Sequence, residues 1–192
     1  MLYKIILVIF VVSISICDMY KIDTDKSKIY WIGRKITGEH NGTINIKDGY
    51  VNINEGSITS GEFQIDMNSI TVLDMSEKYN KKLESHLKDP DFFDVDLFPI
   101  SSFTINDSYD FFIIDNIVFK GDLKIKDIVV EKSIPATISV NDSIAEAIGV
   151  IDVDRTLFGI TYGSSSFFDN LADRAINNNF TLKFKIVAIR QQ

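Results

Sequence analysis

Two histidines, one cysteine and an Asp-rich strand end hold most of the side chains that could do chemistry in this sequence. His40 lies in Gly38-Glu39-His40-Asn41-Gly42, between two glycines. There an imidazole can titrate or contact a ligand, or it can hydrogen-bond across a tight turn. His86 falls between Leu83 and Leu87 on a helical pattern, the setting of a partly buried helix residue. Asp152, Asp154 and Arg155 have the composition of an acid/base cluster, and equally of an ion pair holding a strand end. Ser164-Ser165-Ser166 has no nearby histidine to activate a hydroxyl and reads as a loop or helix cap. The sequence has no Gly-rich phosphate loop, G-x-S-x-G elbow, C-x-x-C pair or H-E-x-x-H helix. Two histidines and a lone Cys17 leave little material for a metal site, and no cofactor is expected. Phe92-Phe93, with Phe98 and Phe103, reads as core more readily than as a cofactor box.

Composition narrows the function further. The 192 residues carry 20 Lys and Arg against 27 Asp and Glu, a net charge of −7. Neutralising phosphates needs clustered cations, so a nucleic-acid partner is not expected. The same acidity opposes adhesion to an anionic membrane surface. With 45% apolar and 24% charged residues, the chain has the balance of one globular domain. At the N-terminus, one positive charge in Met1–Lys4 precedes the apolar run Ile5–Ile16, broken only by Ser13 and Ser15. Its 12 residues fall short of the roughly 20 that span a bilayer, and fit a secretory leader over 1–17. Ser13 and Ser15 suit ordinary cleavage and release. Ile14-Ser15-Ile16-Cys17 resembles a lipobox, which would make Cys17 a lipidated first residue; the bulky Ile16 fits that pattern poorly. Either way the chain is expected to be exported, periplasmic or anchored to the outer membrane. The sequons at Asn41, Asn106, Asn141 and Asn179 carry little weight in such a protein.

These groups must be positioned mostly by strands. Ile greatly outnumbers Leu, and β-branched and aromatic residues dominate the apolar set. Strands are expected over Ile29–Ile36, Thr43–Lys47, Tyr50–Asn54, Ser57–Met67, Ile100–Asn106, Asp110–Ile114, Ile117–Asp127, Ile134–Asn141, Ala145–Val153 and Phe180–Ile189. Lys47-Asp48-Gly49-Tyr50 reads as a hairpin. In Phe119–Lys126, Phe119, Gly121, Leu123 and Ile125 alternate with polar residues, giving one wet face. Tyr79, Leu83 and Leu87 predict a helix over Ser76–Lys88, capped by Asp74 or Ser76 and stopped by Pro90. Many antiparallel strands and one lid-like helix suggest a closed barrel without exposed edges.

From Tyr20 to about Ala188 the chain resembles the YceI family of exported, lipocalin-like isoprenoid-binding proteins. YKIDTDKSKIYWIGRKITGEHNG is similar to the family's first hairpin at Asp23, Ser27, Trp31, Gly33, Gly38, His40 and Gly42. The most specific part is GEFQIDMNSITV followed by KKLESHLKDPDFFDVDLFPISSF, which carries the family's pattern at His86, Leu87, Asp91, Phe92, Phe93, Asp94, Pro99 and Phe103. FKGDLKIKDI retains Gly121, Asp122, Leu123 and Ile125 but has Lys124 and Asp127 where Thr and Gly are usual. The stretch DRTLFGITYGSSSFFDNLADRAINNNFTLKFKIVA is similar to the form in Bacteroidetes-type members.

The resemblance implies an all-β, extended eight-stranded antiparallel barrel with one helical insert over 18–192, enclosing a long apolar tunnel. It implies a carrier of a long-chain isoprenoid or other amphiphilic lipid rather than an enzyme, with a menaquinone-related ligand a reasonable guess. Membrane contact is expected only through the anchor of a lipoprotein form, and a homodimer is left open. Trp31, Phe63, Phe103, Phe119, Leu123, Phe158 and Tyr162 are the candidate tunnel residues, chosen as large apolar groups on predicted strands. Two alternatives remain. A barrel filled by its own side chains would lack a continuous void. An enzyme on a lipophilic substrate would need His40 or the Asp152/Asp154/Arg155 cluster to converge on one pocket.

Overall fold

The computed structural model describes residues 17–110 and 116–191, without the side chains of residues 109 and 110. The leader expected over 1–17 therefore lies outside the described residues except for Cys17, which is exposed. Nine strands follow: β1 (Asp18–Ile22), β2 (Lys28–Lys35), β3 (Gly38–Asn54), β4 (Ser57–Val72), β5 (Ile100–Asp110), β6 (Asn116–Ile125), β7 (Ile128–Val140), β8 (Ile144–Asp154) and β9 (Ile176–Arg190). One helix, α1 (Glu77–Lys88), joins β4 to β5, and a short 3-10 turn over Arg155–Phe158 follows β8.

The sheet runs β3-β2-β9-β8-β7-β6-β5-β4, and β4 pairs back onto β3 to close an eight-stave antiparallel barrel. β1 and β2 share one stave. β2 lies between β3 and β9 near Gly38–Ile44 and Ile176–Lys185, while β1 fills the same gap further along, at Tyr50–Ile53 and Ala188–Arg190. The Ser27 hydroxyl, buried at the break, accepts from the Val187 amide at 3.0 Å. Alternation along β3 and β9 sends Ile44, Ile46, Val51, Phe184, Ile186 and Ala188 toward the interior.

The structure departs from the sequence reading at several turns. Asp48-Gly49 is not a hairpin. β3 runs straight through it, with a bulge where the register against β4 slips between Ile46 and Asp48. Gly49 is required there by close approach: a Cβ would lie 2.7 Å from the Glu62 carbonyl oxygen. The true β3–β4 hairpin is Glu55-Gly56, both at positive φ (50° and 82°). Lys126-Asp127 similarly joins β6 to β7, with Lys126 at φ 54°. β1 precedes the first expected strand, Ile29–Ile36. Most of the strand expected over Asp110–Ile114 lies outside the described residues, and β5 extends as far as Asp110.

α1 has Ser76 at its N-cap position, but neither Ser76 nor Asp74 caps it with a side chain. It is tied down by its own polar residues instead: Glu84 Oε1 accepts the Val72 amide at 2.8 Å, and Asn80 Oδ1 accepts that of Met75 at 3.1 Å. No α1 residue is fully buried. The helix lies at the end of the barrel where β4 stops and β5 starts.

Candidate ligand-binding tunnel

The barrel interior is not filled. A cavity of about 200 Å³ lies beneath α1, walled by Ile29, Trp31, Ile44, Met67, Leu83, Leu87 and Phe93 among others. A second, of about 140 Å³, lies deeper, walled by Phe63, Phe103, Ile105, Phe119, Phe184 and Ile186. Both volumes count room for the centre of a water-sized sphere, a measure on which one water needs only about 10–15 Å³. These are not packing defects. Ile29, Ile65, Leu123 and Leu182 belong to both walls, so the cavities abut at a waist formed by β2, β4, β6 and β9. The inner surface of each cavity is overwhelmingly apolar.

Polar groups gather at the end of the tunnel beneath α1. His40 Nδ1 lies 2.8 Å from Asp74 Oδ2, and Asp74 Oδ1 accepts the Asn41 amide at 3.1 Å. Partial burial works to raise the Asp74 carboxyl, but the His40 ring and that amide outweigh it and hold the group below its ordinary value. His40 thus joins β3 to the start of the α1 segment; it does not bond across its own turn, which is Ile36-Thr37. Arg155 is 4% exposed and donates to three carbonyls: Asn177 at 3.0 Å, Ile160 at 2.7 Å and Ile176 at 3.1 Å. Burial lowers its guanidinium, and Asp154 only partly offsets this. The expected ion pair at this strand end is not formed. Asp154 caps the 3-10 turn through the Thr156 amide (2.9 Å), and Asp152 accepts from the Thr181 hydroxyl (2.6 Å). His86 packs edge-on to Phe92 and Tyr162, with ring centroids 4.9 and 4.8 Å away, bracing α1 against the loop after β8. Ser164 is fully buried, its hydroxyl 2.6 Å from Asn178 Oδ1. Among the described residues no group of three or more His, Cys, Asp or Glu converges as a metal site.

A model of the YceI-like domain matches residues 20–188. The chain belongs to the YceI family. No curated protein matches it. Solved structures do: BcnA of Burkholderia cenocepacia, at 18% identity and a TM-score of 0.66, is similar over 86% of this chain and 98% of its own. A polyisoprenoid binding domain from Saccharophagus degradans, implicated in plant cell wall breakdown, is 8% identical with a TM-score of 0.65, over 90% and 98%. A YceI protein of Campylobacter jejuni is 15% identical with a TM-score of 0.55, over 71% and 75%. At these identities the likeness is one of fold, and the fold is the eight-stranded lipocalin-like barrel.

In this YceI protein the seven candidate tunnel residues divide. Trp31 walls the cavity beneath α1; Phe63, Phe103 and Phe119 wall the deeper one; Leu123 stands at the waist. Phe158 and Tyr162 wall neither. Phe158 is fully buried in a second core cluster with Val153 and Ile160, outside the cavities, because it sits on the 3-10 turn and not on a stave. Tyr162 is 44% exposed and covers His86 from outside. Choice by size alone missed Ile65, Leu182, Phe184 and Ile186, which share the inward register of β4 and β9. The period-2 pattern from Phe180 to Ala188 was the available signal. Of the acid/base candidates, His40 and Arg155 both line the cavity beneath α1, but His40 is held by Asp74 and Arg155 by backbone carbonyls, and Asp152 and Asp154 line neither cavity.

Proposed function

We propose that this protein is an exported binding protein that holds a long-chain isoprenoid lipid, of quinone or polyprenyl type, along the barrel axis. The observation that carries this reading is the pair of abutting apolar cavities, which a slender chain can thread and a compact ligand cannot fill. Membership of the YceI family supports it, as does the likeness to a domain named for polyisoprenoid binding. Burying one five-carbon isoprene unit contributes on the order of 4 kcal/mol gross, at about 0.8 kcal/mol per carbon. Ordering the chain and losing its translation offset much of that. Binding of this kind needs no acid/base pair, so the function is carriage or scavenging rather than catalysis. Trp31, Phe63, Phe103, Phe119 and Leu123 contact the chain, and α1, carrying Leu83 and Leu87, is the lid over its mouth. Export rests on the leader over residues 1–17, with Cys17 either removed or lipidated.

The test is to express residues 18–192 in a bacterium, purify without detergent, and combine native mass spectrometry with organic extraction. A co-purifying long-chain lipid is the expected result and would name its chemical class. A protein that is empty and also rejects added isoprenoids would overturn the proposal and favour a surface role through protein partners.

A further inference from the structure

The charge on the wall beneath α1 has one sign. Arg34, Lys35, His40 and Arg155 line that cavity, and among the described residues no Asp or Glu does, in a chain whose net charge is −7. Two of the four are already matched. Arg34 reaches the Thr181 hydroxyl at 2.8 Å and Glu39 at 3.3 Å, and His40 holds Asp74. The other two are not. Arg155 is buried against carbonyl dipoles, with Asp154 offsetting that burial only in part and no carboxylate at ion-pair distance among the described residues, and three contacts leave two of its five N–H donors over. Lys35 ends β2 just past a slip in its register against β9, is exposed at the rim of the cavity, and has no hydrogen-bond or ion-pair partner among the described residues. For buried Arg155 a charge without a full countercharge is costly, and the cost falls if a ligand brings the missing charge; Lys35, exposed at the strand end, adds a second unmatched positive charge at the rim of the same cavity.

From this we infer that the cavity beneath α1 is a headgroup site for an anionic amphiphile, a phosphate or carboxylate on a long apolar chain, with Lys35 and Arg155 as its countercharges. The inference rests on the lipid-binding reading and sharpens it: a neutral quinone ring leaves both cations unmatched, whereas a polyprenyl phosphate or a fatty acid does not. The tail then runs past the waist into the deeper cavity, where the only charged wall residue among the described residues, Glu146, is paired to Lys185 at 3.4 Å.

The test compares heads on a constant tail: geranylgeranyl phosphate against geranylgeraniol, and oleate against oleyl alcohol, by displacement of a fluorescent lipid. Wild type should favour the anionic member of at least one pair by about tenfold or more, the scale of a charged hydrogen bond; the pair with the larger ratio identifies phosphate or carboxylate as the head. Lys35→Gln should reduce that ratio about threefold or more and Lys35→Glu further, with affinity for the alcohols unchanged within about twofold. Lys35 is exposed on a strand end, so neither change threatens the fold. Equal binding of anion and alcohol in both pairs, or a preference that survives Lys35→Glu, would overturn the headgroup site while leaving the tunnel intact. Failure of all four ligands to bind would instead refute lipid binding itself.

Discussion

The tunnel should measure chain length, and its waist should set where the measuring stops. β9 walls the cavity beneath α1 from Ile176 to Leu182 and the deeper one from Leu182 to Ala188. At about 3.3 Å per residue those two spans make roughly 40 Å of strand, or about 30 Å along the axis at a tilt near 40°. Bonds of about 1.5 Å meeting at about 111° advance an extended carbon chain by about 1.25 Å each, so the tunnel takes about 24 main-chain carbons, or about six isoprene units. Each unit buries about 4 kcal/mol gross; immobilising its rotors returns a large part, leaving about 1–2 kcal/mol, or roughly 5- to 30-fold in affinity per unit. Wild type should therefore bind a polyprenol series with affinity climbing to about six units and then level. Leu182→Trp places an indole at the waist, at an overpacking cost of about 1–3 kcal/mol that a barrel with empty interior can bear. In that variant the climb should stop near three units, leaving a six-unit chain weaker by about 3–6 kcal/mol, at least about 100-fold. Competition against a fluorescent lipid reads the whole curve, and circular dichroism confirms the fold. A variant that follows the wild-type curve to six units would refute the idea that the two cavities work as one tunnel.

Other consequences concern the scaffold. Arg155→Met leaves three backbone carbonyls without their donor, that of fully buried Ile160 among them, and should cost about 3 kcal/mol in urea unfolding; Arg155→Lys should recover little, because the three carbonyls are met by three separate guanidinium nitrogens and a single ammonium nitrogen cannot stand at all three places, and a loss below about 1 kcal/mol would contradict this role. Gly42→Ala drives a Cβ onto the Thr71 carbonyl oxygen and should destabilise by about 2 kcal/mol or more, whereas Gly33→Ala meets only the Trp31 ring at 3.9 Å and should be near neutral in the same melt. Asp74 is held below the ordinary carboxyl value of 3.8, so its contribution to stability is complete above about pH 4 and lost as pH falls through its lower folded value. Asp74→Asn should flatten the acid limb of the pH–stability curve, and an unchanged limb would count against the His40–Asp74 contact.

The barrel was legible because its cause is local. The period-2 alternation of Phe119–Ile125 and Phe180–Ala188 reflects a strand with one face inward, whatever its partners. What escaped depends on partners distant in sequence. Asp48-Gly49 has the chemistry of a hairpin, but the Glu62 carbonyl on β4 and Ile22 on β1 crowd Gly49 and keep the strand extended. The expected strands Tyr50–Asn54 and Ser57–Met67 left the break at Glu55-Gly56 where it falls, and the pairing of Asn54 with Ser57 holds Glu55 at a positive φ that Glu seldom adopts. Asp154-Arg155 invites an ion pair, but the guanidinium is drawn to carbonyls on the strand and loop it pins. For the tunnel, side-chain size picked aromatic residues that wall the cavities where they lay on staves, and residues that wall neither at Phe158 and Tyr162, where the chain leaves the sheet. Alternation establishes that two faces exist; only closure of β4 onto β3 decides which of them is the inside.

Closure also separates the two ends of the molecule, and that gives the leader a functional consequence. Asp18 pairs with Ile53, beside the β3–β4 hairpin, whereas Lys35, Gly38 and α1 surround the mouth at the opposite end. The 17 residues of β3 connect the two ends, on the order of 40 Å along the axis. Cys17 directly precedes β1, so a lipid attached there would hold the hairpin end against the anchoring membrane and point the mouth away from it. Ile36, Leu73, Tyr79 and Leu97, all strongly exposed, lie at the outward end. A lipoprotein form would therefore exchange its ligand with a second membrane or a partner, and not with the bilayer that holds it. A cleaved, freely diffusing form would present the same apolar rim to either surface. Were Cys17 lipidated or removed, the two fates would thus differ in which surface the mouth faces, because β1 pairs with β3 at the end away from it.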